Sequence, residues 1–279
     1  LVTYPSYDNN MLSGSVDPDY WAKLVDDQSE PLYNHATQGA SAPGSTFKMC
    51  TTMTAMEEGI ISQGDTVVDE GEFKKITPSP KCWIFTSGGG ATHGSINVMQ
   101  ALAQSCNYFF YEMGYRLGTN SKGNYDSALG LSKIEKYAKV LGLDMKSGVE
   151  ITERDPHFST ESAVHSAIGQ GSNAYTPVQL ARYVSTIANG GKNYSLTLLD
   201  KVVSSKGKTV LKKKSKLTNT VDGTQFIQEC VKLLLKVLFI NILKIQKLIL
   251  QVSQVRRRKT RSVIPMLCLL HMLHMIIRK

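Results

Sequence analysis

Residues 42–48 read Ala-Pro-Gly-Ser-Thr-Phe-Lys and place a serine three positions before a lysine, at Ser45 and Lys48. Apolar residues recur at helical spacing after this stretch and predict a helix over residues 45–56 with one buried face. Side chains three apart on a helix share a face. A serine hydroxyl needs a base to become a nucleophile, and a desolvated lysine can serve as that base. Alone, the pair is explained more simply as a helix cap with an exposed lysine.

A second polar group lies 60 residues further on, at Ser105-Cys106-Asn107. It interrupts a helical pattern, as a loop that presents polar groups to a cleft would do. Ser105 could relay a proton between Lys48 and a leaving amine, and the Asn107 amide could hold a substrate carbonyl. The alternative is an ordinary cap between two helices.

The rest of the first 225 residues alternates predicted helices with a few short strands. We expect a short strand at 1–4, turns at 17–20, a long surface loop at 77–94, helices at 98–104, 108–117, 134–141, 161–167 and 176–188, and a hairpin at 197–203 and 209–211. This mixture predicts a mainly helical α/β or α+β domain.

The composition is that of a globular chain, with 279 residues, 42% hydrophobic and 20% charged. It excludes disordered, collagen-like and disulfide-scaffold proteins, and no apolar run is long enough for a membrane-spanning helix. The six histidines show no metal-ligand spacing, and no phosphate loop or dinucleotide fingerprint is present. We therefore predict no metal and no cofactor.

The net charge of +9 comes from the last 54 residues, which hold 11 lysines and arginines and a single acid, Glu229. Residues 226–279 therefore form a basic tail after a domain at 1–225. Read as printed, 231–247 could be an amphipathic helix on an anionic membrane, and 256–259 a patch for nucleic acid or phospholipid. The alternative is that the tail is a neighbouring reading frame translated by mistake. Recoding residues 266–279 codon by codon in that frame permits the sequence ALFITYAPYDNPE, which alternates like a strand and then carries turn residues.

Taken together, these motifs resemble the transpeptidase domain of class B penicillin-binding proteins over about residues 1–225. The stretches that carry the resemblance are 42–48, His93-Gly94, 101–111 and 168–191. It implies that Ser45 is the acylated nucleophile, Lys48 its base and Ser105 a proton shuttle, with Asn107 binding substrate. Gly169, Gln170 and Gly171, in Ile-Gly-Gln-Gly, would border the substrate.

The resemblance also implies a fold and a reaction. The fold is that of penicillin-binding proteins and serine β-lactamases, a mostly antiparallel sheet flanked by helices plus an all-helical lobe. The reaction is D,D-transpeptidation, which cross-links peptidoglycan stem peptides through a serine acyl-enzyme without a cofactor and which β-lactams inhibit covalently. The implied location is the extracytoplasmic face of the bacterial membrane, with the anchor outside this chain, cell-wall synthesis proteins as partners and no nucleic acid.

The family's third motif, Lys-Thr-Gly or Lys-Ser-Gly on a strand, does not follow Gly191 in the printed sequence. The shifted frame permits Ala-Gly-Lys-Ser-Gly-Thr-Ala across 250–257, so one frame slip near the start of the tail would explain its composition. The printed chain is then a fragment with an incomplete sheet, and we expect it to be unstable and inactive.

Two other functions stay open at this point. One is a β-lactamase or β-lactam sensor of the same fold, which fast penicillin turnover would reveal. The other is an inactive fragment whose basic tail binds membranes. Among single residues, His93 is expected in a structural turn, and Cys82 and Cys106 are expected as packed thiols, with a bridge as the alternative.

Overall fold

The computed structural model describes residues 2–221, so the expectations for the basic tail lie outside the described residues. The helices begin with α1 at Pro18–Asp26, α2 at Lys48–Glu57, α3 at Trp83–Ser87 and α4 at Val98–Ala103. They continue with α5 at Asn107–Gly118, α6 at Ser127–Val140, α7 at Ala163–Ser166 and α8 at Pro177–Ala188. Short 3₁₀ turns cover Asn9–Leu12 and Gly44–Phe47.

The strands of the described region pair two by two, always antiparallel. They are β1 at Thr66–Asp69, β2 at Gly94–Asn97, β3 at Lys192–Tyr194, β4 at Lys201–Val203, β5 at Thr209–Lys212 and β6 at Leu217–Thr220. β1 pairs with β2, β3 with β6, and β4 with β5. Helices and small antiparallel pairs agree with the predicted α+β class and with an incomplete sheet.

Helix α2 packs against three other helices, α4, α5 and α6. All of its residues from Lys48 to Ala55 are buried, so the expectation of one buried face was wrong. Threonines make this burial possible, since Thr52 and Thr54 donate to carbonyls of their own helix and Thr51 donates to the Ala167 carbonyl.

Helix boundaries differ from the predictions where a capping residue was overlooked. The turn-rich 17–20 stretch starts α1, because Asp17 caps its first turn and Pro18 occupies the first position. Asp126 caps α6 and starts it seven residues before the predicted 134. The predicted strand at 1–4 is wrong, since residues 2–4 form no strand.

The predicted loop at 77–94 is only partly on the surface. It contains α3, and Cys82 at the start of that helix is completely buried. The predicted hairpin is confirmed in β4 and β5, and its residues are exposed. Within residues 2–221, no helix has the length and apolar character needed to cross a bilayer.

Candidate active site

Ser45 lies in the 3₁₀ turn that leads into α2, with its side chain exposed. The turn is held from behind by Gly169, whose carbonyl accepts a hydrogen bond from the Gly44 N–H at 3.1 Å. Phe47 anchors its other end, since this ring is completely buried and stacks on Tyr175. The apolar and glycine residues of the motif therefore fix the turn and leave the serine hydroxyl free to face solvent.

Lys48 is buried, with 1% of its surface exposed, and its ammonium group is completely satisfied. Nζ donates to the Ser105 carbonyl at 2.8 Å, to Ser105 Oγ at 3.1 Å and to Asn107 Oδ1 at 2.7 Å. Burial lowers the pKa of Lys48 from its ordinary 10.5 to about 8, although Cys106 and Cys82 nearby act in the opposite direction. About one lysine in ten is then neutral at pH 7 and can accept a proton.

Ser105 connects the lysine to the nucleophile. Its Oγ lies 2.9 Å from Ser45 Oγ and also accepts from Lys48 Nζ. The backbone at Ser105 has φ 53°, a left-handed conformation that costs a residue with a side chain about 1–2 kcal/mol. The strain directs both the carbonyl and the hydroxyl of Ser105 at the lysine, and α5 begins two residues later with Asn107.

Gly169 allows the α2 turn to approach the 168–171 segment. A Cβ on Gly169 would lie 2.3 Å from the Gly44 carbonyl oxygen and 2.8 Å from Phe47 Cβ, and its φ is +72°. Gln170 follows with an exposed side chain, and its Nε2 lies 3.9 Å from the place a Cβ on Gly44 would take. Of the three residues predicted to border substrate, Gly169 and Gln170 thus lie beside the Ser45 turn. Gly171 packs near Ser159, whose Oγ would be 2.6 Å from a Cβ at position 171.

Comparison with known proteins identifies the family of this chain. The family described as "Penicillin binding protein transpeptidase domain" matches residues 1–230. The chain belongs to this family. Its curated relatives are named peptidoglycan D,D-transpeptidases. PbpA of Mycolicibacterium smegmatis is 32% identical over 208 residues, which is 68% of this chain and 38% of that protein. MrdA of Haemophilus influenzae is 26% identical over 208 residues, 69% of this chain and 30% of that protein.

Solved structures show the same fold. The imipenem acyl-enzyme complex of penicillin-binding protein A from M. tuberculosis superposes with a TM-score of 0.70 at 24% identity. That alignment covers 84% of this chain and 52% of the other. The predicted fold class is therefore confirmed, while the chain spans only about a third of the length of the curated relatives it matches.

Next to Lys48 and Ser105 lies a group that the sequence analysis did not find, the four-donor cluster of Asp69, Cys82, His93 and Cys106. Their donor atoms all lie within 4.8 Å of one another. His93 Nδ1 is 2.7 Å from Asp69 Oδ2 and 3.6 Å from Cys82 Sγ. The His93 Nε2 atom is buried and has no hydrogen-bond partner among the described residues.

The four-donor cluster combines the nitrogen, sulfur and oxygen donors that Zn²⁺ takes in four-coordinate sites, so these residues could hold a metal ion. Sequence spacing could not show it, because the four residues come from β1, the α3 cap, the residue before β2 and the α5 cap. Within the cluster, a hydrogen bond from Cys106 lowers the pKa of Cys82 to about 6. The same hydrogen bond and burial raise the pKa of Cys106. His93 lies directly before β2, and its side chain is buried and paired with Asp69. Cys82 and Cys106 are free thiols, as expected.

Proposed function

We propose that this chain is the catalytic part of a peptidoglycan D,D-transpeptidase that works through an acyl-enzyme on Ser45. The observation that carries the proposal is the hydrogen-bonded chain from Ser45 Oγ through Ser105 Oγ to the buried Lys48 Nζ. Lys48, whose pKa of about 8 lies near neutral pH, is the general base, and Ser105 is the relay.

The first half of the reaction attaches the stem peptide. Ser45 Oγ attacks the carbonyl carbon of the penultimate D-Ala and gives its proton to Ser105 Oγ. Ser105 passes its own proton to neutral Lys48, which keeps its N–H bonds to the Ser105 carbonyl and Asn107 Oδ1. The backbone N–H of Ser45 stabilises the oxyanion. The proton then returns through Ser105 to the amine of the terminal D-Ala, which leaves as the peptide bond breaks.

The second half transfers the acyl group. An amine on a neighbouring glycan strand attacks the ester carbon, loses a proton through Ser105 to Lys48, and forms the cross-link while Ser45 regains its hydrogen. A β-lactam would acylate Ser45 in the same way. Penicillin-binding protein A from M. tuberculosis has been solved as acyl-enzyme complexes with imipenem and with penicillin G.

The proposed setting is the extracytoplasmic face of the membrane, where cell-wall enzymes meet stem peptides. Partners among cell-wall synthesis proteins are part of the proposal, because a structural relative, PBP2 of Helicobacter pylori, is described in a complex with MreC. Asn107 and Gln170 are the residues that we expect to contact the stem peptide beside Ser45.

We also propose that the reading frame of the gene slips before the third motif, within the region that encodes residues 221–251. No Lys-Thr-Gly or Lys-Ser-Gly follows Gly191 in the printed sequence. The strand that normally faces the serine across the cleft would then be missing, and the printed chain would be unstable and inactive.

Labelling with a fluorescent penicillin tests both proposals. The printed chain, a chain with the shifted frame restored, and its Ser45→Ala variant would be compared by gel fluorescence and intact mass. We expect one penicillin per restored chain and none on the other two. An unlabelled restored chain that is folded would overturn the assignment of Ser45, and stoichiometric labelling of the printed chain would overturn the frame slip. Fast release of the bound penicillin would instead favour a β-lactamase.

A further inference from the structure

The hairpin of β4 and β5 is an exposed ribbon with a strong excess of positive charge. Residues 198–217, to which we refer as the lysine hairpin, hold seven lysines and a single acid, Asp200. Within residues 2–221, one of these lysines, Lys213, pairs with a carboxylate, that of Glu150. The other six are exposed and form no ion pair with any residue of that range: Lys201, Lys206, Lys208, Lys212, Lys214 and Lys216.

The strand register of the lysine hairpin places two like charges opposite each other. Lys201 pairs with Lys212, and the next pair is Val202 with Leu211. Paired residues of antiparallel strands project from the same face, and like charges directly opposite each other destabilise the pair. An anion between the two ammonium groups would replace this repulsion by attraction. The register therefore indicates an anionic partner.

The loop at the tip of the lysine hairpin is hydrogen-bonded and carries two of the lysines. The Ser204 N–H donates to the Lys208 carbonyl at 2.8 Å, and the Gly207 N–H donates to the Ser204 carbonyl at 2.9 Å. Gly207 has φ +75° and so supplies the left-handed residue of the turn. Lys206 and Lys208 are therefore exposed on an ordered loop, which loses little conformational entropy when it binds a partner.

Large apolar side chains are exposed among these lysines. The exposed fraction is 42% for Val202, 50% for Leu211 and 68% for Val210. An exposed group of large apolar residues marks an interaction site. A soluble polyanion would contact the lysines and gain nothing from the apolar residues. A membrane surface uses both, because headgroup phosphates attract lysines and the acyl boundary accepts apolar side chains.

We propose that the lysine hairpin docks on the surface of a membrane that contains anionic phospholipids. The lysines contact the headgroups, and the apolar residues of β4 and β5 enter the boundary between headgroups and acyl chains. Glu150 connects the hairpin to the rest of the domain, because it pairs with Lys213 and accepts from the Leu198 N–H at 2.9 Å. Docking of the hairpin would therefore orient the domain on the membrane.

Vesicle sedimentation of the frame-restored chain tests the proposal. This chain is the appropriate one, because the printed tail is itself basic and would bind the same vesicles. The probe is a vesicle of phosphatidylglycerol and phosphatidylcholine in equal parts, and the reference is a vesicle of phosphatidylcholine alone. We expect binding to the anionic vesicle that weakens as salt is added, and no binding to the reference.

Two triple variants that remove the same charge locate the binding surface. The hairpin variant combines Lys201→Gln, Lys206→Gln and Lys208→Gln. Each lysine near an anionic membrane strengthens binding about fivefold, so the partition coefficient should fall about 100-fold. The control variant should stay within about twofold of the parent, because charges far from the lipid are screened. It replaces three exposed lysines outside the hairpin by glutamine: Lys23, Lys74 and Lys122.

Two further variants separate the charged and apolar contributions. Lys212→Glu places a carboxylate opposite Lys201, so it should stabilise the strand pair while lowering the partition coefficient about 25-fold. Weaker binding of this variant cannot come from unfolding of the hairpin. The double variant Val202→Ser and Leu211→Ser keeps every charge, and it should lower the partition coefficient about tenfold.

The outcomes that would overturn the proposal are distinct. Equal losses in the hairpin and control variants would mean that net charge alone explains binding. A parent that does not bind the anionic vesicle would exclude the membrane. Equally tight binding to soluble polyphosphate, with no effect of the Val202 and Leu211 substitutions, would assign the hairpin to a soluble polyanion instead. These measurements do not use acylation of Ser45, so this proposal and the proposed transpeptidase function can fail separately.

Discussion

The close contact between Gly169 and the Ser45 turn leads to the most specific prediction, Gly169→Ala. A Cβ at this position would lie 2.3 Å from the Gly44 oxygen, 2.8 Å from Gly44 N and 2.8 Å from Phe47 Cβ. Two of these atoms are backbone, so a side-chain rotation cannot relieve the clash. The new methyl group must push residues 44–47 away from the 168–171 segment.

The magnitude has two parts. The left-handed φ of +72° costs an alanine about 1 kcal/mol. Overpacking a close-packed site adds about 1–3 kcal/mol. Gly59→Ala separates them, because Gly59 has nearly the same φ, +67°, with no atom within 4 Å of its Cβ position. We therefore expect Gly169→Ala to lower the free energy of unfolding by about 1–3 kcal/mol more than Gly59→Ala.

Urea denaturation of the frame-restored chain, followed by circular dichroism, measures this difference. In the frame-restored chain without urea, Gly169→Ala should also slow acylation by penicillin. Gly59→Ala should leave the acylation rate unchanged. Equal destabilisation by the two substitutions would refute the argument, because it would mean that the Gly44–Gly169 contact imposes no steric limit.

Three further predictions concern the reacting groups and the four-donor cluster. The acylation rate of the frame-restored chain should rise about tenfold per pH unit below pH 8 and level off above it. The reason is that only neutral Lys48, with its pKa of about 8, accepts the proton. A rate that does not change between pH 6 and 9 in stopped-flow measurements would exclude Lys48 as the base. Ser105→Gly should slow acylation by about 100-fold or more because the relay is lost. Its free energy of unfolding should change little, because relief of the positive φ is offset by the loss of one of the three acceptors of the buried Lys48 ammonium. Unchanged acylation would exclude Ser105 as the relay. Zn²⁺ at 100 times its dissociation constant should raise the free energy of unfolding by about 2.7 kcal/mol, as followed by thermal unfolding. If the His93→Ala variant gains the same stability from Zn²⁺, the ion does not bind at the four-donor cluster.

The spatial proximity of Ser45, Lys48 and Ser105 could be predicted, because two short motifs and the residues around them match the sequence pattern of the family. The complete burial of α2 could not, because its threonines look polar in a linear sequence and are satisfied only by carbonyls of the folded chain. The overlooked starts of α1 and α6 were local errors, since Asp17 and Asp126 are ordinary capping residues.

The four-donor cluster could not be predicted for a different reason. Asp69, Cys82, His93 and Cys106 come from four separate parts of the chain. They meet because β1 pairs with β2, β1 packs against α5, and the Cys82 N–H donates to the Gly71 carbonyl just after β1. The nearest signal in the sequence was Cys106 itself, a cysteine between two residues of a catalytic motif. A thiol is a weak cap, so its presence there indicates a demand other than helix stability.

The burial of Lys48 has a consequence for damaged or loosely folded copies of the domain. Water that enters the core around this side chain returns its pKa toward 10.5. The neutral fraction at pH 7 then falls from about one in ten to about one in three thousand. The nucleophile then has no base, although every residue of the motif is still present. Correct packing is thus a condition for reactivity, because a misfolded copy keeps its motif residues but lacks a base that can accept the serine proton.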